Sequence, residues 1–528
     1  MRCGVSFLFL YGPPGAGKSS LGRQLAERLM MPLVDLDQEI EQAAGCLISD
    51  IFAREGEAVF RRIERGVLER VLGGTPAVVA LGGGSLLDSA SRDMVERAGR
   101  VLCLEADHAT LEARLGRHAA ERPLLKNNAE GLSGRLKQLL ADREAHYRSF
   151  HCRLDVTHLP VEQALDEAQI RLGAFFVSGM GNGYALRVGQ GCLENLGEVF
   201  RQHDWQGRVA LVADANTAAL YAKNVRQSLE SAGLAVHDLT LGAGESFKTL
   251  ASVQSLWEGF LAAGMERGDS VVALGGGVVS DMAGFSAATY MRGIRWVAVP
   301  TTLLSMVDAA VGGKTGFDLP QGKNLVGAFH PPSMVLADVD LLASLPDAVF
   351  RSGLAEVVKH GIINDPQLFS LCAQGWSAIR SGGMAELVSR AVAVKIRVVQ
   401  QDPLEKGIRA ALNFGHTVGH GIEKAMNYRL DHGEAVAIGL VAETRLSERA
   451  GIAEPGLAGK ISAVLQKLGL PVACPAGMDR AAMLAAMAHD KKSAAGRLRF
   501  ALPVRPGEVR TGVVLEMTPE EMLKEICP

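Results

Sequence analysis

No apolar run in this chain approaches the roughly 20 residues that a membrane span needs, so the sequence predicts no transmembrane segment. No block of like charge appears either: 55 Lys and Arg against 58 Asp and Glu leave a formal net charge of −3. A chain without a basic face or tail is not built to bind nucleic acid or an acidic membrane surface. The eight cysteines (Cys3, Cys46, Cys103, Cys152, Cys192, Cys372, Cys474, Cys527) include no C-x-x-C pair, which removes the usual thiol-based redox and metal motifs. They are expected to be reduced, mostly buried thiols of a cytoplasmic protein. Internal repeats and low-complexity tracts are also missing, which sets aside solenoids and disordered linkers.

What the sequence has in excess is glycine, 60 of 528 residues and much of it clustered. Such clusters suggest phosphate-binding turns. Near the start, Arg2 followed by Val5–Tyr11 resembles a short signal peptide, but the apolar run stops at Gly12 and enters a glycine loop. It is read as a buried first strand. At about 100–200 residues per domain, the length suggests about three domains.

Along the first 170 residues, strand-like runs (VSFLFLY, PLVDLD, AVVALG, RVLCLE) alternate with helical patterns such as LGRQLAERL. This alternation predicts an α/β domain with a parallel sheet. The helix-like VEQALDEAQIRLGAFF then runs into the Gly-rich stretch 178–183. A second α/β series follows, with strands RVALVAD, VVALGGG and WVAVPTT. Beyond Pro346 helical spacing dominates until LRFALPV.

GPPGAGKS at 12–19 fits G-x-x-x-x-G-K-[ST] after a strand and before a helix. Glycines let backbone N–H groups face phosphate oxygens, Lys18 can bridge the β- and γ-phosphates, and Ser19 can hold Mg²⁺. Asp35 and Asp37 are read as the end of the second strand, where a spacing of two puts both carboxylates on one face. One could take a proton from a hydroxyl and the other could support the metal. Arg61, Arg122 and Arg143 come from separate segments, and GGGS at 82–85 follows a strand. Each arginine alone would be an ordinary surface residue. Together with the loop they suit bidentate capture of a carboxylate or phosphate.

This combination resembles shikimate kinase across residues 1–170. The resemblance implies MgATP held by Gly12, Gly15, Ala16, Gly17, Lys18, Ser19 and Ser20, with Arg122 arriving from a lid and Asp35 near the Mg²⁺. It implies shikimate held by Asp37, Arg61, Gly82, Gly83, Gly84 and Arg143, with Asp37 as the base and Lys18 catalytic. Ser20 stands where the family often has Thr. A gluconate kinase of the same fold is the alternative.

Further on, GDSVVALGGGVVSDMAGF at 268–285 is a strand, a glycine turn and a helix start. A GGG turn is weak evidence by itself. Asp214, Asn216, Glu245, Lys248, Thr301 and Thr302 lie near other strand ends, which fits a dinucleotide crevice. Segment 307–332 carries Asp308, Lys314, Lys323 and Asn324 among turn residues, and is read as glycine-rich loops for an acidic, phosphorylated substrate. The helical part holds Glu356, Lys359, His360, His416, His420 and His432. His416 and His420 are four apart and share a helix face. A glutamate with two histidines is a common open zinc set, but spacing does not choose among the four histidines.

From about Tyr184 onward, GGGVVSD, VGGKTG, GKNL, AEVVKHG, NFGHTVGH, HGEAVAIG and HDKK follow the order found in 3-dehydroquinate synthase, which this region resembles. The resemblance implies zinc or cobalt on Glu356, His416 and His432. It implies NAD contacts from Asp214, Asn216, Glu245, Lys248, Gly276, Gly277, Asp281, Thr301, Thr302, Lys314 and Lys323. Substrate contacts would come from Asp308, Lys314, Asn324, Lys359, Lys395, Arg409, Asn413, His420 and Lys491, with Arg292 reaching the partner's site in a homodimer. Lys314, Lys359 and His420 would be catalytic. Ser280 and Gly421 stand where Gly and Ala are usual. The implied reaction cyclises 3-deoxy-D-arabino-heptulosonate 7-phosphate to 3-dehydroquinate with loss of phosphate. Close relatives of the fold that make an inosose or a valiolone are one alternative. A fusion whose phosphate-loop part only senses nucleotide is another, and Asp37, Arg61 and Arg143 argue against it.

The expected architecture is therefore α/β. A P-loop kinase domain with a parallel sheet occupies 1–172, a linker 173–183, a Rossmann-like NAD-binding domain 184–345, and a mainly α-helical metal-binding domain 346–528. The expected partners are small-molecule substrates, without nucleic acid or membrane, and the expected location is cytoplasmic.

Overall fold

A computed structural model describes residues 6–116, 131–381, 383–488 and 498–528. The expected site residues Arg122 and Lys491 lie outside them. The chain divides into two compact units, Met1–Phe176 and Val177–Pro528. No helix of the described residues is long and apolar enough to cross a membrane.

The first unit is built on five parallel strands in the order Leu33–Asp35, Val78–Ala80, Phe7–Tyr11, Gly99–Glu105, Arg153–Asp155. The run FLFLY is buried at every position, as a central strand covered on both faces must be. Alternate residues feed two cores: Leu8 and Leu10 face one side, Phe7, Phe9 and Tyr11 the other. Placing this strand centrally aims the loop that follows it at the carboxyl edge of the sheet, where α/β proteins bind ligands.

Two expectations change here. Asp37 does not share a strand with Asp35. The strand stops at Asp35, whose side chain accepts the Asp37 N–H and starts the helix Leu36–Ala44. An aspartate followed by LDQEI is a helix N-cap, and capping overrides the alternation. The helix-like run 161–176 also splits. The helix Val161–Leu172 ends on Gly173 at φ 56, and AFFV continues as the strand Ala174–Val177.

In the second unit, six strands of the main sheet run parallel in the order Tyr184–Gly189, Met334–Asp338, Arg295–Pro300, Ser270–Gly275, Arg208–Asp214, Ala235–Leu241. From Arg208–Asp214 the chain goes outward to Ala235–Leu241, then returns to Ser270–Gly275 on the other side. That reversal opens a crevice at the carboxyl ends of these two neighbours. Segment 307–332 is not only loops: Asp308 lies on the helical turn Ser305–Ala309, and Lys314–Leu319 pairs with Gly322–Phe329 as a two-stranded antiparallel ribbon. Lys314 therefore stands on paired backbone, opposite Phe329, and Lys323 lies where the register shifts.

Past Pro346 the described residues are mainly helical, and Phe500–Arg505 pairs with Glu508–Val513 as a hairpin. The helices Asp347–Asn364, Met384–Gln401, His416–Ala425 and His432–Arg449 carry the polar centre, and the last two pack closely. Cys474 and Cys527 depart from the expected reduced state: their Cα atoms are 5.6 Å apart and the pair is disulfide-bonded. The pairing joins residues 53 apart in sequence, so spacing gave no sign of it.

Candidate functional site

The loop after Phe7–Tyr11 turns on three glycines with positive φ: Gly12 at 129°, Gly15 at 84° and Gly17 at 91°. Gly12 has no room for a side chain, because a Cβ there would strike the Leu104 carbonyl. The helix Lys18–Leu29 follows at once, so its free N–H groups point into the loop. Lys18 folds back over it, donating to the Gly12 and Pro13 carbonyls at 2.9 and 3.0 Å. Ser19 is exposed at the mouth.

Beside the loop, the turn 82–84 gathers the other expected residues. A Cβ on Gly82 would lie 3.1 Å from Asp37 Oδ1, and one on Gly84 would lie 2.6 Å from an Arg61 nitrogen. Arg143 donates to the Gly83 carbonyl at 3.0 Å. Arg61 is held by Glu57 at 3.1 Å and Glu64 at 2.6 Å. Burial opposes its charge, but Glu64 and Glu57 outweigh that and raise its pKa. The buried Glu64 also accepts from Ser85 Oγ at 2.5 Å. Glu64 and Ser85 were missed in the sequence. Glu64 lies three residues from Arg61 on a helix, a spacing that could have revealed it.

In the second unit, Asp214, Gly275 and Thr301 end or follow three adjacent strands, so they line one edge of the crevice. Gly276 precedes the helix Gly277–Thr289, whose start faces that edge. Thr301 Oγ1 is buried and makes no hydrogen bond. Asp214 is partly committed, its Oδ1 accepting from Asn216 and Thr217 N–H. Lys248 is buried and donates to Asp281 at 2.6 Å and Asn324 at 2.7 Å. Burial raises the Asp281 pKa to about 6 against the opposing pull of Lys248. Lys323 pairs with Glu245 at 3.3 Å. A glycine-backed edge with a helix start and flanking polar groups fits a dinucleotide.

A Cβ on Gly277 would lie 3.2 Å from Ala309, so the turn adjoins Asp308. From there a chain of charges, buried at Lys395, Lys359 and Glu356, runs into the helices. Lys395 Nζ meets Asp308 Oδ1 at 2.6 Å, and Lys359 pairs with Glu356. His416 and His432 place Nε2 at 3.2 and 3.7 Å from Glu356 Oε1. One ligand atom from each of Glu356, His416 and His432 lies within 4.8 Å of the others. Burial opposes ionisation of Glu356, but Lys359 and His416 hold it well below the usual carboxylate range. Burial and Lys359 push His416 down to about 4, so it presents a neutral ring. Burial also opposes charge on His432, yet Glu356 and Glu423 raise it to about 10. Glu356 and Glu423, which hold a proton on His432, would draw a divalent cation to the same place, and imidazole with carboxylate suits zinc or cobalt. The residues fit a metal.

His420 lies beside this trio, its ring 5.3 Å from His416. His360 groups with Asp308, Nε2 at 3.9 Å, and with Glu356, ligand atoms of the three lying within 4.8 Å, and neither of its nitrogens hydrogen bonds. Arg409 is buried, donating to the Pro403 carbonyl at 2.6 Å. Asn413 is half-buried at the end of the same turn, Ile408–Asn413. Lys314 is paired with Glu405, which the sequence did not single out. Arg292 is exposed at φ 68.

Residues 14–171 match the family model for shikimate kinase, and residues 238–352 and 353–493 match those for the N-terminal and C-terminal parts of 3-dehydroquinate synthase. The 3-dehydroquinate synthase of Symbiobacterium thermophilum is 48% identical over 331 residues, 62% of this chain and 92% of that protein. The chain belongs to the 3-dehydroquinate synthase family. Ahead of that synthase region it carries a shikimate kinase domain, so the chain joins two enzymes. A second synthase, from Synechococcus sp., is 42% identical over 65% of this chain and 95% of its own length. Among solved structures, a 2-epi-5-epi-valiolone synthase from Streptomyces hygroscopicus with NAD⁺ and Zn²⁺ bound is similar at 30% identity and TM-score 0.58. It covers 65% of this chain and 95% of that one. A 2-deoxy-scyllo-inosose synthase complexed with carbaglucose-6-phosphate, NAD⁺ and Co²⁺ is similar at 26% identity and TM-score 0.62, covering 67% and 99%.

Proposed function

We propose that the two sites run the two family reactions with the residues placed above. In the first, Lys18 and the loop N–H groups hold the ATP phosphates, Ser19 and Asp35 stand by Mg²⁺, and Arg61 and Arg143 clamp the shikimate carboxylate. Asp37 takes the proton of the attacking 3-hydroxyl as the γ-phosphoryl group passes to its oxygen and ADP leaves. The convergence of Asp37, Arg61 and Arg143 on residues 82–84 supports this reading.

In the second, NAD rests on the edge formed by Asp214, Gly276 and Thr301, and Glu356, His416 and His432 hold zinc or cobalt. When bound, these groups supply reversible hydride acceptance and polarisation of a substrate hydroxyl. The protein's own part is placement. Lys395, Arg409, Asn324 and Lys359 offer cationic and amide donors to the carboxylate and phosphate of the heptulosonate phosphate. His420 stands ready for a substrate oxygen. Lys314, held by Glu405, can exchange that carboxylate for a substrate anion. The single observation that carries this reading is the line of buried and half-buried groups from Lys395 and Asp308 to the Glu356, His416 and His432 trio. Its natural setting is a cytoplasmic homodimer formed through the synthase unit.

The test is phosphate release from 3-deoxy-D-arabino-heptulosonate 7-phosphate with NAD⁺ and zinc, set against a hexose 6-phosphate lacking the carboxylate. Release from the first alone is expected. Equal or faster release from the hexose phosphate would favour an inosose-type cyclase.

A further inference from the structure

We infer that Glu423 and Glu443 are metal-positioning residues, exchanged between the two helices that carry His416 and His432. The inference rests on the ligand set proposed above. Glu423 lies on His416–Ala425 and is buried, yet its Oε1 reaches across to His432 Nδ1 at 3.3 Å. His432 turns its other nitrogen, Nε2, toward Glu356. A carboxylate on the far nitrogen of a metal-binding imidazole fixes which nitrogen carries the proton and how the ring is turned.

Glu443 makes the reciprocal reach. It lies on His432–Arg449 and is fully buried. Its Oε2 accepts from Gly415 N–H at 2.7 Å, and its Oε1 from Val418 N–H at 3.0 Å. Those groups stand at the start of the helix whose first residue is His416, and the usual partner of the Val418 N–H is the side chain of the residue just before the helix. Here that residue is Gly415, which has none. It has none because the helices touch there: a Cβ on Gly439 would collide with the Gly415 carbonyl, and one on Gly415 would lie 2.7 Å from Leu440. Glu443 is one turn on from Gly439 and supplies the missing cap. Each helix thus anchors the histidine end of the other.

The experiment uses the full chain, stripped of metal and titrated with Co²⁺ alone against a competing chelator, with the visible cobalt absorption recorded. Glu423→Ala is expected to weaken Co²⁺ binding about 10- to 100-fold and change the band shape, while still binding one ion per chain. Glu423→Gln, which keeps an acceptor, should recover part of the loss. Glu443→Gln sets an amide N–H against a backbone N–H and should weaken binding in the same way. If it does not fold, the Glu423 pair decides. Thr518→Ala removes a helix cap elsewhere and should leave both readouts unchanged. Wild-type affinity and spectrum in folded Glu423→Ala would overturn the inference. His416→Ala should lose tight binding altogether. If it binds as wild type does, the ligand set itself is wrong.

Discussion

Arg61 illustrates how a single side chain is prepared for its ligand. Its guanidinium is braced by Glu57 and Glu64 and lies against Gly84. A lysine would keep the charge but lose the fork. Arg61→Lys is expected to cost one charge-assisted bond, about 1.5–3 kcal/mol, or roughly a 10- to 150-fold rise in KM for shikimate. ADP release at varied shikimate measures it. A KM unchanged from wild type would remove Arg61 from the acceptor pocket. Asp281 gives a second prediction, on stability. Its folded pKa of about 6 lies above the ordinary 3.8, so between these values the folded chain holds more protons than the unfolded one. Stability from this group is full below about 3.8 and is lost as pH rises through about 6. Urea unfolding at pH 5 and pH 7 should show a smaller decline across that interval in Asp281→Asn than in wild type. Much of this scale was legible in sequence, since Lys18 at the end of its glycine loop and the histidines at 416 and 420 carry recognisable spacing. The partners Glu423, Glu443 and Glu405 were not, because helix crossing and chain return bring them to their targets.

Elements explain why some glycines are fixed and others are free. Gly439 is where His432–Arg449 meets the start of His416–Ala425, with no room for a methyl group. Gly459 is exposed on Leu457–Lys467 with nothing within 4 Å of an added Cβ. Gly439→Ala should destabilise by roughly 1–3 kcal/mol through overpacking, whereas Gly459→Ala should stabilise by about 1 kcal/mol through helix propensity. Urea midpoints of the two variants separate these outcomes, and similar shifts would contradict the helix contact. The strands were readable because parallel strands covered on both faces are near-continuous apolar runs. Boundaries were less so. Asp35 served as a cap, Gly173 ended a helix the apolar pattern would have prolonged, and Gly316 and Gly327 lie on a ribbon where the sequence suggested loops.

At the scale of the molecule, each unit has its own buried clusters and its own candidate chemical groups among the described residues. The sequence told this division through two unrelated motif sets, one a phosphate loop and the other an ordered series of cyclase segments. It could not tell how buried charge is shared, because Asp308, Glu356 and Lys395 come from three separate elements. Separate cores and separate sites imply separable activities. The decisive measurement is both reactions assayed on the same full-length protein and on two variants. Lys18→Ala should abolish shikimate phosphorylation and leave phosphate release from the heptulosonate phosphate at the wild-type rate. His416→Ala should do the reverse. If either folded variant loses both activities, or neither loses any, the account of two independent active sites in one chain is contradicted.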